Sequence, residues 1–379
     1  MAKRNLDSIL CDLISINSIN PDYTGSLSDE ASLMEYIGKL LENHGIPYRM
    51  EEVLPGRMNL IAKLEGRSNT GLCLEAHADT VGIEGMTIEP FTPEYRDGMI
   101  YGRGSCDAKG SMAAMLHAML SMKDRGCTPA TDIYFVAAVD EEYLCRGAKH
   151  LISTGFRVCS AVIGEPSSLQ IVTACKGVAR YRLKTAGVAA HSAKPAEGVN
   201  AIYKMAEIIC RINQELCPAY AGVEHPLLGS PTINVGVVKG GSLINIVPDE
   251  CCIDVDRRML PGETYESIID EMKDLATRHE IDLCEPELLL YDEAMETAPD
   301  CPLVRSAREI KRELELEDGI YGVGYCCDGT KFSRAGISSI VLGPGDIKYA
   351  HSACEFVPLG ECELASELYQ RLCMREDIG

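Results

Sequence analysis

The sequence predicts an α/β protein with a mixed central sheet, interrupted by an inserted ferredoxin-like α+β domain. Two observations carry that prediction. The first is a series of short apolar, strand-like runs, each followed closely by a histidine or an acid. Leu72-Cys73-Leu74 leads to His77-Ala78-Asp79, IYFVAAV to Asp140-Glu141-Glu142, SAVI to Gly164-Glu165-Pro166, and IVLGPG to Ala350-His351-Ser352. In open α/β sheets, binding groups gather beyond the carboxyl ends of the strands, so these side chains can converge in one crevice. The second observation is a change of rhythm near Lys176-Gly177 and again near Tyr291. Between them the pattern is strand 178–188, helix 199–216, strands 232–239 and 250–258, helix 263–279 and strand 281–290. That β-α-β-β-α-β order is the ferredoxin-like split, whose two ends emerge close together and so tolerate insertion. The expected organisation is a first part over 1–177, an insert over 178–290, and a resumed first domain over 291–379.

Taken in order, residues 6–16 and 29–44 have helical spacing, the second with Leu33, Ile37, Leu40 and Leu41 on one face and a stop at Gly45. Residues 57–64 form a strand. The glycine-rich turn Gly102-Arg103-Gly104-Ser105-Cys106-Asp107-Ala108-Lys109-Gly110 feeds a helix over 111–124. Its stripe of Met112, Met115, Leu116 and Met119 is core packing. After the insert come a helix over 303–316, a strand over 338–342 and a C-terminal helix.

Composition excludes several functions. With 46% hydrophobic and 25% charged residues the chain is globular, and its net charge of −21 disfavours nucleic acid and anionic membrane as partners. The start MAKRNLDSILCDLISIN is broken by Asp12, Ser15 and Asn17, and no apolar run approaches a membrane span, so a cytoplasmic location is expected. The eighteen cysteines are scattered through apolar runs and are expected to be reduced thiols. Neither Cys251-Cys252 nor Cys326-Cys327 has the C-x-x-C spacing of a metal or redox site.

Period-2 alternation puts His77 and Asp79 on one side of an extended segment, where Asp79 can orient the His77 ring. Alone, such a pair is more often a hydrogen-bonded surface feature. His77 and His351 with Asp107, Glu165 and the pair Glu141-Glu142 make two histidines and three carboxylates with one glutamate to spare: the composition of a two-metal hydrolytic site with a general base. Adjacent Glu141 and Glu142 cannot share a strand face, but a turn at a strand end lets one bind metal while the other reaches water. His44, His117, His150, His225 and His279 are expected to be structural.

These ordered motifs resemble the co-catalytic zinc hydrolases that include acetylornithine deacetylase, succinyl-diaminopimelate desuccinylase, aminoacylase and carboxypeptidase G, over essentially the whole chain. The resemblance implies a zinc-exopeptidase-like catalytic domain and an insert that serves as lid and dimerisation domain. It implies Asp107 as the carboxylate bridging two Zn²⁺ ions, which Co²⁺ or Mn²⁺ can replace, with His77 and Glu165 on one ion and Glu142 and His351 on the other. Glu141 becomes the base. It further implies that His191, in Ala189-Ala190-His191-Ser192, stabilises the oxyanion in the partner subunit of a homodimer. Asn245 and Arg258 are expected to bind substrate polar groups, with Arg257 facing the other side of its strand, and Gly343 and Gly345 to let backbone approach the substrate. The chain departs from the family pattern at Glu75-Ala76, Ala108 and Ala353-Cys354, none of which removes a ligand. The run GPGDIKYAHSACEF most resembles the acetylornithine deacetylase branch, which implies an N-acyl amino acid as substrate; dipeptidase, carboxypeptidase and desuccinylase activities are the alternatives.

Overall fold

In the computed structural model, residues 5–24 and 30–378 are described, and the chain divides into two compact units. The first comprises Met1–Thr173, Thr297–Tyr321 and Cys327–Gly379, and the second Ala174–Glu296 and Gly322–Cys326.

In the first unit the sheet order is Tyr48–Leu54, Arg57–Leu64, Thr131–Ala138, Ser68–His77, Ser160–Ile163, Ser338–Val341 and Ile171–Cys175. Thr131–Ala138, Ser68–His77, Ser160–Ile163 and Ser338–Val341 run parallel, and the remaining pairings are antiparallel. Ser68–His77 is the pivot. From it the chain first passes to Thr131–Ala138 on one side and then to Ser160–Ile163 on the other, which makes the carboxyl end of Ser68–His77 a topological switch point. Its inner residues Leu72 to His77 are all buried, as a strand flanked and covered on both faces requires.

Helices cover the sheet as the apolar spacing demands. Leu6–Ser15 buries Leu6, Ile9, Leu10, Leu13 and Ile14, a stripe at helical period. Each such side chain contributes roughly 1.5–3 kcal/mol of burial. Glu30–Asn43 buries Leu33, Met34, Ile37, Leu40 and Leu41 and stops where Gly45 takes φ +64°. The expected first residue of that helix, Asp29, lies outside the described residues. Gly110–Asp124 buries Met112, Met115, Leu116 and Met119 in the main core beside Leu359–Cys373.

The second unit has a four-stranded antiparallel sheet in the order Thr232–Gly240, Glu250–Met259, Gly177–Ala186, Glu287–Asp292. Ala201–Arg211 and Tyr265–Arg278 pack Met205, Ile208, Met272 and Leu275 against Tyr181, Leu183, Ile253 and Val255. Asn200 caps the first helix by accepting from Ile202 N and Tyr203 N, which sets its start at Ala201 rather than 199. The last strand begins at Glu287, not at 281 as the sequence pattern predicts. Leu283 and Cys284 do reach the sheet, but Pro286 has no N–H to continue the ladder.

Candidate active site

Four loops at the carboxyl ends of the parallel strands bring the chemistry together. His77 ends the pivot strand, and Ala78 N donates to Ala138 O at 2.7 Å, which ties the His77 loop to the Glu141 loop. Gly164 N donates to Glu75 O at 2.8 Å, bringing Glu165 alongside. A Cβ on Gly164 would stand 2.7 Å from Ser111 Cβ, so only glycine permits this approach. Asp140, at φ +69°, breaks the direction of its strand and sends Glu141 and Glu142 different ways, the separation that the sequence pattern requires.

Asp107 stands between two histidines. Its Oδ1 is 2.9 Å from His77 Nε2 and its Oδ2 is 3.2 Å from His351 Nε2. His77 Nε2 is also 3.8 Å from Glu165 Oε1, and His351 Nε2 is 3.0 Å from Glu142 Oε1. The potential ligand atoms of His77, Glu141 and Glu165 lie within 4.8 Å of one another, as do those of His77, Asp107 and Glu142. All five predicted ligands and the predicted base therefore meet in the first unit.

Two further carboxylates hold the loops. Glu355 Oε1 accepts from Cys106 N (2.9 Å) and Asp107 N (3.0 Å), and its Oε2 from Gly104 N (2.9 Å) and the Arg103 guanidinium (2.6 Å). Asp79 Oδ1 accepts from Glu141 N at 3.0 Å and its Oδ2 from Glu142 N at 3.1 Å. The Asp79 carboxylate, expected to orient His77, stands beside its ring and also serves the neighbouring loop. His77 Nδ1 lies 2.9 Å from the Asp79 carbonyl oxygen and 3.7 Å from Asp79 Oδ1, because the carboxylate is turned toward the amides of the Glu141 loop.

Electrostatically the site is short of cations. Burial opposes ionisation of Asp107, but hydrogen bonds from His351 and His77 outweigh it and hold the carboxyl well below the usual range. Burial pushes Glu141, Glu142 and Glu165 up. Hydrogen bonds to Asp107 and Glu142 raise His351 to about 10.

A match to the model of peptidase family M20/M25/M40 spans residues 73–375 and so includes every one of these groups. The chain belongs to this family. Its members act on amide bonds. Acetylornithine deacetylase of Proteus mirabilis is 30% identical over 377 residues, covering 96% of each chain, and that of Photorhabdus laumondii is 31% identical, covering 95% of this chain and 93% of its own. Among solved structures, a tripeptidase from Staphylococcus aureus superposes with a TM-score of 0.81 at 24% identity, covering 97% of both chains. A dinuclear metal-binding peptidase of Bacillus subtilis superposes at 0.74 with 16% identity, covering 97% of this chain and 96% of its own. Both share the fold.

The residues present fit a pair of divalent ions. The donors are imidazole nitrogens and carboxylate oxygens with no thiolate among them, and one buried carboxylate presents separate oxygens to the two histidines. His77, Asp107 and Glu165 would hold one ion and Glu142, His351 and Asp107 the other.

Sequence reasoning missed Asn20, whose amide nitrogen lies 2.7 Å from Asp79 Oδ2, and the clamping role of Glu355. It also missed Asp328, which is buried close to Glu75 and, like it, is pushed up by burial. Only a residue's partners reveal such roles, and those partners are distant in sequence.

His191, Asn245 and Arg258 all belong to the second unit. His191 is exposed and accepts from Ala193 N at Nδ1 (3.1 Å), which leaves Nε2–H as a donor. Asn245 is exposed too, and its carbonyl accepts from Ser192 N. Arg258 is partly exposed and pairs with Asp256 at 2.9 Å. Arg257, on the opposite face, is buried against Tyr220 and Glu263, as strand alternation predicts. Gly343 and Gly345 are packed from behind: a Cβ on Gly343 would meet Glu165 O at 2.5 Å, and one on Gly345 the Cys106 thiol at 2.7 Å. Among the five histidines expected to be structural, His117 bonds Ser366 Oγ at 2.8 Å and His44 bonds Leu40 O at 2.9 Å.

Proposed function

We propose that the protein hydrolyses the amide bond of an N-acyl amino acid, most closely in the manner of an acetylornithine deacetylase, with two Zn²⁺ ions in the site. The observation that carries the reading is Asp107 shared between His77 and His351, with Glu141 alongside. Such a pair of ions supplies Lewis acidity toward the scissile carbonyl and acidifies a water. The chain's own part is proton transfer. Glu141, raised by burial, takes the proton of the attacking water on a carboxylate oxygen and returns it to the departing amine, a role worth about 10²–10⁴ in rate. Asp79 keeps the Glu141 main chain in place while this happens.

The developing oxyanion needs a preorganised donor, and His191 Nε2–H of a partner subunit in a homodimer fills that need in this reading. Arg258, released from Asp256, would grip a substrate carboxylate with Asn245 beside it, and Gly343 and Gly345 would line the substrate's path. A reducing cytoplasmic location is supported by the eighteen cysteines, none of them in a disulfide.

Peptide hydrolysis is the second reading, favoured by the tripeptidase fold match. A panel of N-acyl amino acids and di- and tripeptides, assayed with added zinc or cobalt, separates the two. Turnover of N-acetylornithine or another N-acyl amino acid is expected, and turnover of peptides alone would overturn the leading reading. X-ray absorption should show metal bound only by oxygen and nitrogen.

A further inference from the structure

We propose that Asn20 is a positioning residue for the catalytic base, acting through Asp79. The proposal rests on the reading of Glu141 as that base. Asn20 is fully buried and its amide nitrogen faces two carboxylates, 2.7 Å from Asp79 Oδ2 and 3.0 Å from Asp140 Oδ1. These two acids have distinct tasks on either side of the base. Asp79 accepts the main-chain N–H of both Glu141 and Glu142, and Asp140 is the left-handed residue that turns the chain into them.

The orientation of the Asn20 amide is set from its other end. Its Oδ1 accepts from Asp22 N at 3.1 Å, which leaves the NH₂ group pointing inward. Its main chain is fixed as well, since Asn20 N donates to Thr80 O at 2.8 Å and Thr80 N donates to Ser18 O at 2.9 Å. Asn20 is thus laced to the segment that follows Asp79. Asp140 has cations of its own, Arg57 at 3.2 Å and the Arg146 guanidinium. Among the described residues, no lysine or arginine hydrogen-bonds to Asp79, whose carboxylate takes its donors from Asn20 and the Glu141 and Glu142 amides. One neutral amide therefore keeps two buried anions apart and aims one of them at the amides of the Glu141 turn. Removing it takes away the one donor the two carboxylates share, and Asp79, still bonded to the Glu141 and Glu142 amides, is then free to swing toward His77 Nδ1, now 3.7 Å away.

The test is a double-mutant cycle of Asn20→Ala and Glu141→Gln, read as kcat and KM on the N-acyl amino acid turned over fastest, with bound metal counted in each protein. Asn20→Ala is expected to lower kcat about tenfold or more, to leave KM within about twofold, and to keep two ions per chain. In the Glu141→Gln background it should cost little further, because the group it positions is already disabled. An equal loss in both backgrounds, a loss carried by KM, loss of the ions, or full activity of Asn20→Ala would each overturn the proposal. If Asn20→Ala does not fold, the isosteric Asn20→Asp, which removes the donor, takes its place in the same cycle. Wild-type turnover by Glu141→Gln alone would instead remove the reading of the base, a separate and distinguishable failure.

Discussion

The Asp107 loop and the Glu141–Glu142 turn solve one problem in two ways. Each must hold an acidic main-chain segment in a buried, anionic place, and each is gripped by a carboxylate that accepts its N–H groups. Glu355 grips the Asp107 loop through three amides and carries its own cation, Arg103, at 2.6 Å. Asp79 grips the turn through two amides and leans instead on the neutral side chain of Asn20. A clamp neutralised on the spot is self-sufficient, whereas one held by an amide depends on the residues behind it. In the proposed reading the two also serve different ends, since one would fix the bridging ligand and the other the base.

The largest effect should come from Asp107, which both ions would share in the proposed reading. Asp107→Ala is expected to abolish activity and to release both ions, measured as metal content after gel filtration; retention of two ions would mean that the bridge lies elsewhere. Next, Glu141→Gln should lower kcat about 10²–10⁴-fold with both ions kept, and loss of metal would show that base and ligand have been exchanged. The comparison of clamps predicts a split between the following pair. Glu355→Gln should weaken metal affinity about 10–100-fold, the range for partners that orient ligands, while Asp79→Asn should lower kcat more than metal affinity. Equal effects on both readouts in both variants would break the distinction. The smallest effect is on pH. His351, at about 10 when bonded to Asp107 and Glu142, holds a proton through the neutral range and must release it to bind an ion. Burial opposes a proton on His77, but Glu165, Asp107 and Asp79 outweigh it and raise that ring too, adding a second such proton. Metal affinity should therefore rise by at least about tenfold per pH unit between pH 6 and 8, with acid released on binding, as calorimetry in two buffers would show. An affinity independent of pH would contradict the protonated pair.

Much of this was legible in the sequence because it is local. A strand-like run that leads to His77, Glu142, Glu165 or His351 declares its element and puts the side chain at the strand's carboxyl end, and the period of the insert declares its split. The strand order Thr232–Gly240, Glu250–Met259, Gly177–Ala186, Glu287–Asp292 follows from that pattern. What escaped was decided by partners remote along the chain. Glu355 stands 252 residues from Arg103, and Asn20 stands 59 from Asp79 and 120 from Asp140. That the Asp79 carboxylate also accepts from the Glu141 and Glu142 amides escaped for the same reason, since alternation shows only that it lies on the side of His77. Pro286 shows the converse, a local signal that apolar periodicity had overridden in the prediction.

The place of Ser338–Val341 has a consequence for the birth of the protein. This strand lies between Ser160–Ile163 and Ile171–Cys175, both made far earlier, and the last ligand follows it at His351. A ribosome that has synthesised the first three hundred residues has therefore released a sheet with an open slot and a site lacking its second histidine. Closing the slot pairs segments more than 150 residues apart, which makes it a slow, late event. Chains cut short before His351 would lack one histidine of the proposed site however well their earlier part folds.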